Sequence, residues 1–292
     1  MNVLITGGTG YVGRFLVERL LADGDAVTVF GRNAPAHGFF SRTVQFVAGD
    51  LEPANFAPDW LAGFDAVIHA AFDHVPGKYR DGEGDDADGF VRRNRDAGIA
   101  LFEAAKQARV PRVVFLSTRA VYGPKAPGKI LTEETPAEPD TLYGRVKLEA
   151  ENALAALADE HFTPVSLRVT GVYGPAGPGR AHKWAGLLAD HIAGKPTPPR
   201  AGTEVHGADV AAAVRIALDH AKPPPVLNVS DLLVDQRDLL AIVDEITGVK
   251  RLLPERADTS GINAMDCTPL KSFGWKPGGE ALLRATVKKL LL

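Results

Sequence analysis

The sequence predicts an α/β fold in which helices cover both faces of a doubly wound parallel sheet, with a small C-terminal lobe. Three observations predict it. The chain opens with a short apolar run, a glycine-rich turn and an amphipathic segment. Short apolar runs then alternate with segments of helical period, which is typical of a parallel sheet. After Gly171, Pro and Gly cluster at 174–179 and 194–202, which indicates a different, smaller unit.

The elements of the first half follow from their apolar patterns. Asn2–Thr6 is β-branched and apolar, and Tyr11–Ala22 has apolar residues at helical spacing before Asp23-Gly24 ends it. We expect the later strands and helices from the same two patterns. The strands are predicted at 26–30, 44–48, 66–71, 112–117 and 165–169, and the helices at 90–109 and 143–159.

The second half has fewer sheet signals. It predicts helices at 183–193, 207–221, Gln236–Thr247 and 280–291, and a strand at 227–229. We expect this smaller lobe to pack against the carboxyl ends of the strands, because ligands in such sheets bind at that edge. The acidic, glycine-rich segment at 76–89 has two interpretations, a solvated loop or a lid over the site.

Composition limits the classes of partner and compartment. The 292 residues carry a formal net charge of -3, so the chain lacks the basic surface that binds nucleic acid or an anionic membrane. Cys267 is the single cysteine, which excludes an intrachain disulfide and favours the cytoplasm. The start lacks the features of a signal peptide, and no apolar run is long enough to span a bilayer. We therefore expect a small-molecule substrate, with no nucleic-acid partner and no membrane contact.

The glycine-rich turn predicts a dinucleotide-binding loop. It follows a strand, opens a helix and has the spacing Gly7-x-x-Gly10-x-x-Gly13, so that the backbone can approach a pyrophosphate at a helix N-terminus. The second predicted strand ends in Gly31-Arg32, where an acidic residue would select NAD and an arginine accommodates the 2′-phosphate of NADP. The cofactor is thus NADP or NAD, with a preference for NADP. The alternative is that Arg32 is a solvated loop residue.

Tyr143 and Lys147 lie one helical turn apart and form the predicted acid/base pair. An ammonium beside a phenol favours the phenolate, which then acts as a general base toward a substrate hydroxyl. Ser117 and Thr118 end the strand at 112–117, on the edge of the sheet where ligands bind, and a hydroxyl there can orient the reacting oxygen. The glycine loop, these hydroxyls and the Tyr/Lys pair occur in this order along the chain.

With these motifs the sequence resembles the extended short-chain dehydrogenase/reductases, in particular the NAD-dependent epimerase/dehydratase family, over nearly its whole length. The resemblance implies a Rossmann-type domain at 1–170, to which 203–230 returns, and a substrate lobe from 171–202 and 231–292. It implies catalytic roles for Tyr143, Lys147, Thr118 and, through water, Asn94. Further matches are Leu167-Arg168-Val169, Val205-His206 and the segment 273–277. The cofactor-binding residues it implies are Gly7, Thr9, Gly10, Tyr11, Val12, Gly13, Gly31, Arg32, Asp50, Leu51, Ala70, Ala71, Ser117, Tyr143 and Lys147.

Two departures from the family bear on the substrate. Gly171 stands where nucleotide-sugar enzymes of the family have an Asn that contacts substrate, and Gly202 stands where they have an Arg that grips the diphosphate. A diphosphate needs cationic partners, and Arg200, Arg180, His182 and Lys183 are the cations that can substitute. The departures argue against a nucleotide-sugar substrate.

Three functions follow from these residues. The leading one is an NAD(P)-dependent oxidoreductase that moves a hydride to or from a hydroxyl or carbonyl carbon. The runner-up is a nucleotide-sugar epimerase with tightly bound NAD; a dehydratase is disfavoured, because Arg119-Ala120 follows Thr118 where an Asp-Glu pair is typical. The third is a non-catalytic cofactor sensor, against which the Tyr/Lys pair argues. Neither a metal site nor a disulfide enters any of them. By resemblance, the helices at 90–109 and 143–159 can form a homodimer interface, although packing within one chain explains their apolar positions equally well.

Overall fold

A seven-stranded parallel sheet forms the centre of the protein and confirms the predicted fold class. The structure is a computed structural model that describes residues 1–75 and 82–292. The strand order is β3-β2-β1-β4-β5-β6-β9, and every pair in it is parallel. These strands are β1 (Asn2–Thr6), β2 (Ala26–Gly31), β3 (Gln45–Ala48), β4 (Ala66–His69), β5 (Arg112–Thr118), β6 (Thr163–Val169) and β9 (Val226–Val229).

Helices cover both faces of this sheet, because its strands are apolar on both sides. In β1, Val3 and Ile5 face one core cluster, and Leu4 faces the other. The helices are α1 (Tyr11–Ala22), α2 (Pro58–Leu61), α3 (Ala87–Val91), α4 (Ala97–Gln107), α5 (Leu142–Ala156), α6 (Ala185–Ile192), α7 (Gly207–Asp219), α8 (Gln236–Thr247), α9 (Thr268–Ser272) and α10 (Gly279–Leu290). Helices α1 and α7 pack on one face, and α2, α4 and α5 pack on the other. The sheet is thus a buried platform whose carboxyl edge carries the site.

A second, three-stranded sheet was not predicted from the sequence. It has the order β10-β8-β7, from β7 (Gly171–Tyr173), β8 (Ala201–His206) and β10 (Leu232–Asp235). Its strands have three to six residues, and β7 and β8 each contain a glycine, so their apolar alternation is too brief to stand out. Beside it, α6, α8 and α10 enclose a separate core in which Tyr173 stacks on Trp184 with ring centroids 5.0 Å apart.

Most predicted boundaries differ from the structure by one to three residues, and two of the differences bear on the site. The fourth strand ends at His69 and not at residue 71, because the chain leaves the sheet there to approach the glycine loop. The helix predicted at 90–109 consists of α3, a π-helical segment at Arg92–Asp96 and α4. The wide π turn contains Asn94, whose side chain bonds the segment after β4, and such turns are frequent at functional sites.

The segment interpreted as a loop or lid at 76–89 is described only in part. Residues 76–81 lie outside the described residues. Helix α3 begins at Ala87, and the Asp86 carboxylate caps it by accepting a hydrogen bond from the Gly89 amide at 2.9 Å. The end of the segment is therefore helical, which the loop prediction missed.

The chain passes between the two sheets more than once. It leaves β6, enters the small sheet through β7 and β8, and returns to the main sheet as β9 beside β6. The domain boundaries at 1–170, 171–202, 203–230 and 231–292 stay a prediction. Among the described residues, the exposed large apolar side chains, such as Ile192 and Leu252, lie outside α4 and α5. The homodimer also stays a prediction. None of the helices in the described ranges has the length and apolar character needed to cross a membrane.

Candidate active site

The glycine loop between β1 and α1 tolerates no side chain at two positions. A Cβ on Gly7 would lie 2.6 Å from backbone atoms of Ala71, and one on Gly13 would lie 2.0 Å from the Gly7 carbonyl oxygen. Gly7 also has a φ of +73°, which favours glycine. Gly10 precedes α1 as its N-cap, and its amide donates to the Gly7 carbonyl at 2.8 Å. The loop therefore brings bare backbone to the N-terminus of a 12-residue helix, as pyrophosphate binding requires.

The segment after β7 lies across this loop. The Tyr11 hydroxyl donates to the Gly174 carbonyl at 2.6 Å, and the Arg180 guanidinium donates to the Thr9 carbonyl at 2.6 Å. Arg180 also lies over the ring of Phe39, 5.5 Å from its centroid. We name residues 174–180 the strap. Through the strap, the Arg180 guanidinium reaches the edge of the predicted pyrophosphate site.

The predicted adenine end of the site is an open cleft. Arg32, Gly49, Asp50, Glu52 and Asn55 line it. The Arg32 side chain is 74% exposed and lies 3.7 Å from Asp73, while Asn55 donates to the Asp50 carboxylate at 2.5 Å. The other predicted residues lie close by: Gly31 has open space beside it, and Leu51 packs on the core below the sheet.

Lys147 is buried at the carboxyl edge of the sheet, and the structure around it explains its placement. Its ammonium donates to the Leu116 carbonyl at 2.7 Å and lies between two aromatic rings, 4.7 Å from the centroid of Phe72 and 4.6 Å from that of Phe115. Burial lowers the pKa of Lys147 from 10.5 to about 7, against the opposing charge of Glu151. The lysine therefore changes its charge near neutral pH.

Tyr143 lies one helical turn before Lys147 and shares its neighbour. The ring of Tyr143 meets Phe72 edge to face, with centroids 5.0 Å apart. Thr141 caps α5 by accepting from the Gly144 amide at 3.1 Å. A Cβ on Gly144 would lie 2.7 Å from the Ala120 carbonyl oxygen, so the start of α5 abuts the turn after β5. This contact brings the phenol and the strand-end hydroxyls to one place.

Two hydroxyls end β5. Thr118 is buried, and its Oγ1 accepts from the Ala120 amide at 3.1 Å, which leaves the hydroxyl proton to donate. The Ser117 Oγ is buried and has no hydrogen-bond partner within residues 1–75 and 82–292. A buried hydroxyl without a partner is costly and points to a ligand or water that completes it.

Asn94 fixes the backbone that follows β4. Its Oδ1 accepts from the Asp73 amide at 2.7 Å, and its Nδ2 donates to the carbonyls of Asp73 at 2.8 Å and Phe90 at 3.0 Å. Asp73 in turn accepts from Arg93 at 2.7 Å. The asparagine thus holds the chain that carries Phe72 into the site. A water-mediated link from Asn94 to Lys147 stays a prediction.

A buried histidine lies beneath the glycine loop. His69 Nδ1 lies 2.7 Å from Thr6 Oγ1, and its ring stacks on Phe115 with centroids 5.5 Å apart. Burial, and then the charge of Lys147, lowers the pKa of His69 to about 3, so the ring is neutral at physiological pH. His69 therefore acts as a fixed polar spacer between β1 and β4.

A buried ion pair fixes α5 from behind. Arg168 on β6 bonds Glu151 on α5 at 2.7 Å and lies over the ring of Tyr122, 4.7 Å from its centroid. The Tyr122 hydroxyl donates to Asn228 at 2.7 Å. Removing one partner of such a pair leaves an uncompensated buried charge, so the pair pins the helix that carries Tyr143 and Lys147.

The structure thus brings the glycine loop, Ala71, Ser117, Thr118, Tyr143 and Lys147 to one edge of the sheet. Phe72 was not predicted to belong to the site, although an aromatic residue directly after Ala70-Ala71 was a signal. The contact of Arg180 with the loop was not predicted either, since nothing in the local pattern relates residues 171 positions apart. The glycine loop, which presents bare backbone, and the Ser117 hydroxyl, which has no partner among the described residues, fit a bound dinucleotide. In the part of the chain that the structure describes, no group of three or more His, Cys, Asp or Glu residues could hold a metal ion.

Comparisons with known proteins relate this site to characterised relatives. The model of the NAD dependent epimerase/dehydratase family matches residues 3–230. The dTDP-6-deoxy-L-talose 4-dehydrogenase (NAD(P)(+)) of Kitasatospora kifunensis is 30% identical, covering 99% of this chain and 94% of that protein. The low-salt glycan biosynthesis protein Agl12 of Haloferax volcanii is 28% identical, covering 95% and 94%. The UDP-glucose 4-epimerase of Thermus thermophilus, solved in complex with NAD, aligns with a TM-score of 0.80 and 28% identity, covering 100% of this chain and 99% of that chain.

Proposed function

Because the chain belongs to the NAD-dependent epimerase/dehydratase family and is an NAD(P)-dependent enzyme, we propose that it is an oxidoreductase that interconverts a hydroxyl and a carbonyl group. The observation that carries the proposal is the buried Lys147 ammonium, held on the Leu116 carbonyl one helical turn from Tyr143. The dehydrogenase of Kitasatospora kifunensis, which aligns over nearly the whole chain, supports this reaction class.

Each side chain has one task in the proposed reaction. When bound, the nicotinamide accepts or supplies the hydride. In the oxidation direction the Tyr143 phenolate takes the proton of the substrate hydroxyl, and in the reduction direction the phenol returns it to the carbonyl oxygen. Thr118 donates its hydroxyl proton to the same oxygen and orients it. The Lys147 ammonium favours the phenolate form of Tyr143 and offers its remaining protons to a ribose hydroxyl.

The pH dependence follows from Lys147. Its pKa of about 7 means that the ammonium, which is the form that favours the phenolate, is lost as the pH rises through this value. A bound dinucleotide with its two phosphates favours the ammonium and raises that pKa. We therefore expect the upper limb of the pH profile for cofactor binding to lie at or above pH 7.

The proposed cofactor preference is NADP. Arg32 supports it, because its exposed side chain projects into the cleft at the end of β2, where no carboxylate directly follows the strand. We expect Arg32→Ala to weaken NADPH binding about tenfold, because it removes one charge-assisted hydrogen bond to the 2′-phosphate, worth about 1.5 kcal/mol. NADH binding is expected to change less than twofold, and an equal loss for both cofactors would reject the assignment.

A nucleotide-sugar epimerase with retained NAD is the second candidate. The structure of the Thermus thermophilus epimerase in complex with NAD favours it. The strap also favours it, since two hydrogen bonds close residues 174–180 over the glycine loop and can slow cofactor release. In that reaction the same Tyr143 proton transfer occurs twice in one cycle, and the cofactor never leaves.

The test of the proposal is Tyr143→Phe. General acid/base catalysis contributes about 10²- to 10⁴-fold, so we expect kcat to fall by that factor, both with NADPH and a panel of aldehydes and ketones and with NADP⁺ and a panel of polyols. UDP-glucose and dTDP-glucose with NAD belong in the same panel. Binding of NADPH, followed by nicotinamide fluorescence, is expected to stay within threefold of wild type. Turnover that survives the substitution would remove Tyr143 from the mechanism.

A further inference from the structure

Asp73 places a fixed carboxylate beside the predicted cofactor cleft. Asn94 holds its backbone amide and carbonyl, and the Arg93 Nε donates to Asp73 Oδ2 at 2.7 Å. The side chain of Asp73 is 28% exposed, and that of Arg93 is 27% exposed. Because the backbone and one carboxylate oxygen are both hydrogen-bonded, the carboxylate keeps its position when its other neighbours move.

The second carboxylate oxygen of Asp73 faces Arg32. Asp73 Oδ1 lies 3.7 Å from the Arg32 Nη1, and the arginine side chain is largely exposed. This distance is longer than a hydrogen bond, so the contact is a charge attraction in water that a stronger anion can displace. Of the two partners, Arg32 is therefore the one that moves.

This ion pair joins the two sides of the strand that leads into the glycine loop. Phe30 of β2 and His69 of β4 both pair in register with Thr6 of β1. Arg32 follows Phe30 by two residues, and Asp73 follows His69 by four. Adjacent strands are about 4.8 Å apart, so the ends of β2 and β4 are about 10 Å apart across β1. In a doubly wound sheet the adenine ribose binds at the end of the second strand, beside this loop, so the pair borders the expected place of the 2′ position.

The other charged residues that line the cleft have partners of their own. These residues are Asp50, which accepts from Asn55 at 2.5 Å, and Glu52, which accepts from Arg92 at 3.2 Å. Arg93, the second cation on Asp73, also donates to Asp86 at 3.1 Å. Among the described residues at this cleft, Asp73 is thus the carboxylate that lies against Arg32.

We propose that Asp73 sets the cofactor specificity by competing with the 2′-phosphate of NADP for Arg32. In the cofactor-free protein the arginine lies against Asp73, and NADP binding must break that contact before the phosphate gains its cation. NAD has a hydroxyl at the 2′ position and does not require Arg32 to move. The carboxylate thereby narrows the preference for NADP. The inference rests on the proposed oxidoreductase function, with Arg32 as the residue that contacts the 2′-phosphate, and adds the residue that tunes this contact.

The test compares the dissociation constants of NADPH and NADH, followed by nicotinamide fluorescence, in the wild type and in Asp73→Asn. The asparagine keeps the shape of the side chain and an acceptor for Arg93, and it removes the charge. We expect NADPH to bind about fivefold more tightly, or about 1 kcal/mol at about 1.4 kcal/mol per tenfold, which is the size of an exposed ion pair. NADH binding should stay within twofold of the wild type. An unchanged ratio of the two constants overturns the inference.

Two controls separate competition for Arg32 from a structural effect. Asp86→Asn changes the other carboxylate bonded to Arg93 and keeps a residue that caps α3, so the ratio should stay within twofold of the wild type. A shift as large as that of Asp73→Asn would assign the effect to Arg93 and contradict the role of Asp73. In Arg32→Ala, adding Asp73→Asn should change NADPH binding less than twofold. A fivefold gain without the arginine would overturn the competition.

The measurement also distinguishes this inference from the proposed function. Asp73→Ser removes the same carboxylate and takes the place of Asp73→Asn if that variant does not melt cooperatively. A wild type that binds neither dinucleotide would reject the proposed function. Binding of both dinucleotides with an unaltered ratio in the variant rejects the role of Asp73 and leaves the oxidoreductase proposal standing.

Discussion

Replacing Lys147 by methionine should stabilise the cofactor-free protein while it removes activity. The fall of the pKa of Lys147 from 10.5 to about 7 corresponds to about 5 kcal/mol of unfavourable burial, at about 1.4 kcal/mol per unit. Lys147→Met removes this cost but leaves the buried Leu116 carbonyl without its donor, which costs about 3 kcal/mol. At pH 7, we expect the free energy of unfolding of Lys147→Met to be about 2 kcal/mol higher than that of the wild type.

The pH dependence of the free energy of unfolding isolates the cost of burying Lys147. Because the folded pKa is lowered, the unfolded chain binds more protons between pH 7 and 10.5, and the stability of the wild type rises with pH in that window. From pH 7 to 9.5 this one group contributes a rise of about 3 kcal/mol. The methionine variant keeps every other titrating group and lacks this rise.

Urea unfolding at pH 7 and 9.5 measures both proteins, after the cofactor has been stripped with charcoal. Between pH 7 and 9.5, the free energy of unfolding should rise by about 3 kcal/mol more in the wild type than in Lys147→Met. Lys129→Met, at an exposed lysine, is the control and should follow the wild type. Equal pH dependence in wild type and Lys147→Met would refute the burial argument for the lysine.

Three further substitutions test the site. Gly13→Ala places a Cβ 2.0 Å from a backbone oxygen, so we expect the free energy of unfolding in urea to fall by about 2–3 kcal/mol and NADPH binding to be lost. Gly186→Ala, in α6 with nothing within 4 Å, is the control and should lower neither quantity. Normal NADPH binding by Gly13→Ala would contradict the role of the glycine loop. Asn94→Ala loses three hydrogen bonds, so we expect the free energy of unfolding in urea to fall by about 3 kcal/mol. A fall below about 0.5 kcal/mol would contradict the role of Asn94 in holding the segment after β4. Arg180→Ala should speed NADPH dissociation about five- to tenfold in stopped-flow fluorescence, because it removes one hydrogen bond of about 1 kcal/mol between the strap and the glycine loop. An unchanged dissociation rate would show that the strap does not retain the cofactor.

The main sheet could be predicted because its strands are buried on both faces and its helices are long. Val3, Leu4 and Ile5 are wholly buried, and the apolar run that they form is visible without any tertiary information. The glycine loop was equally visible, since its spacing reflects a purely local backbone demand. Tyr143 and Lys147 shared a helix face by period alone.

The parts that could not be predicted depend on contacts distant in sequence. Strand β7 has three residues and gains its place only by pairing with β8. The burial that lowers the pKa of Lys147 comes from Phe72, which the chain delivers 75 residues earlier, and from β5. The salt bridge between Lys183 and Glu204 likewise depends on the three-stranded sheet, which carries Glu204 on β8. Sequence patterns identify which residues carry chemistry, and the fold decides what surrounds them.

The most direct test of the central claim is the dinucleotide content of freshly purified protein, released by denaturation and identified by mass. An exchanging oxidoreductase predicts substoichiometric dinucleotide that added NADPH replaces within minutes, and tighter binding of NADPH than of NADH. Stoichiometric NAD that does not exchange would contradict this account and favour the retained cofactor of an epimerase.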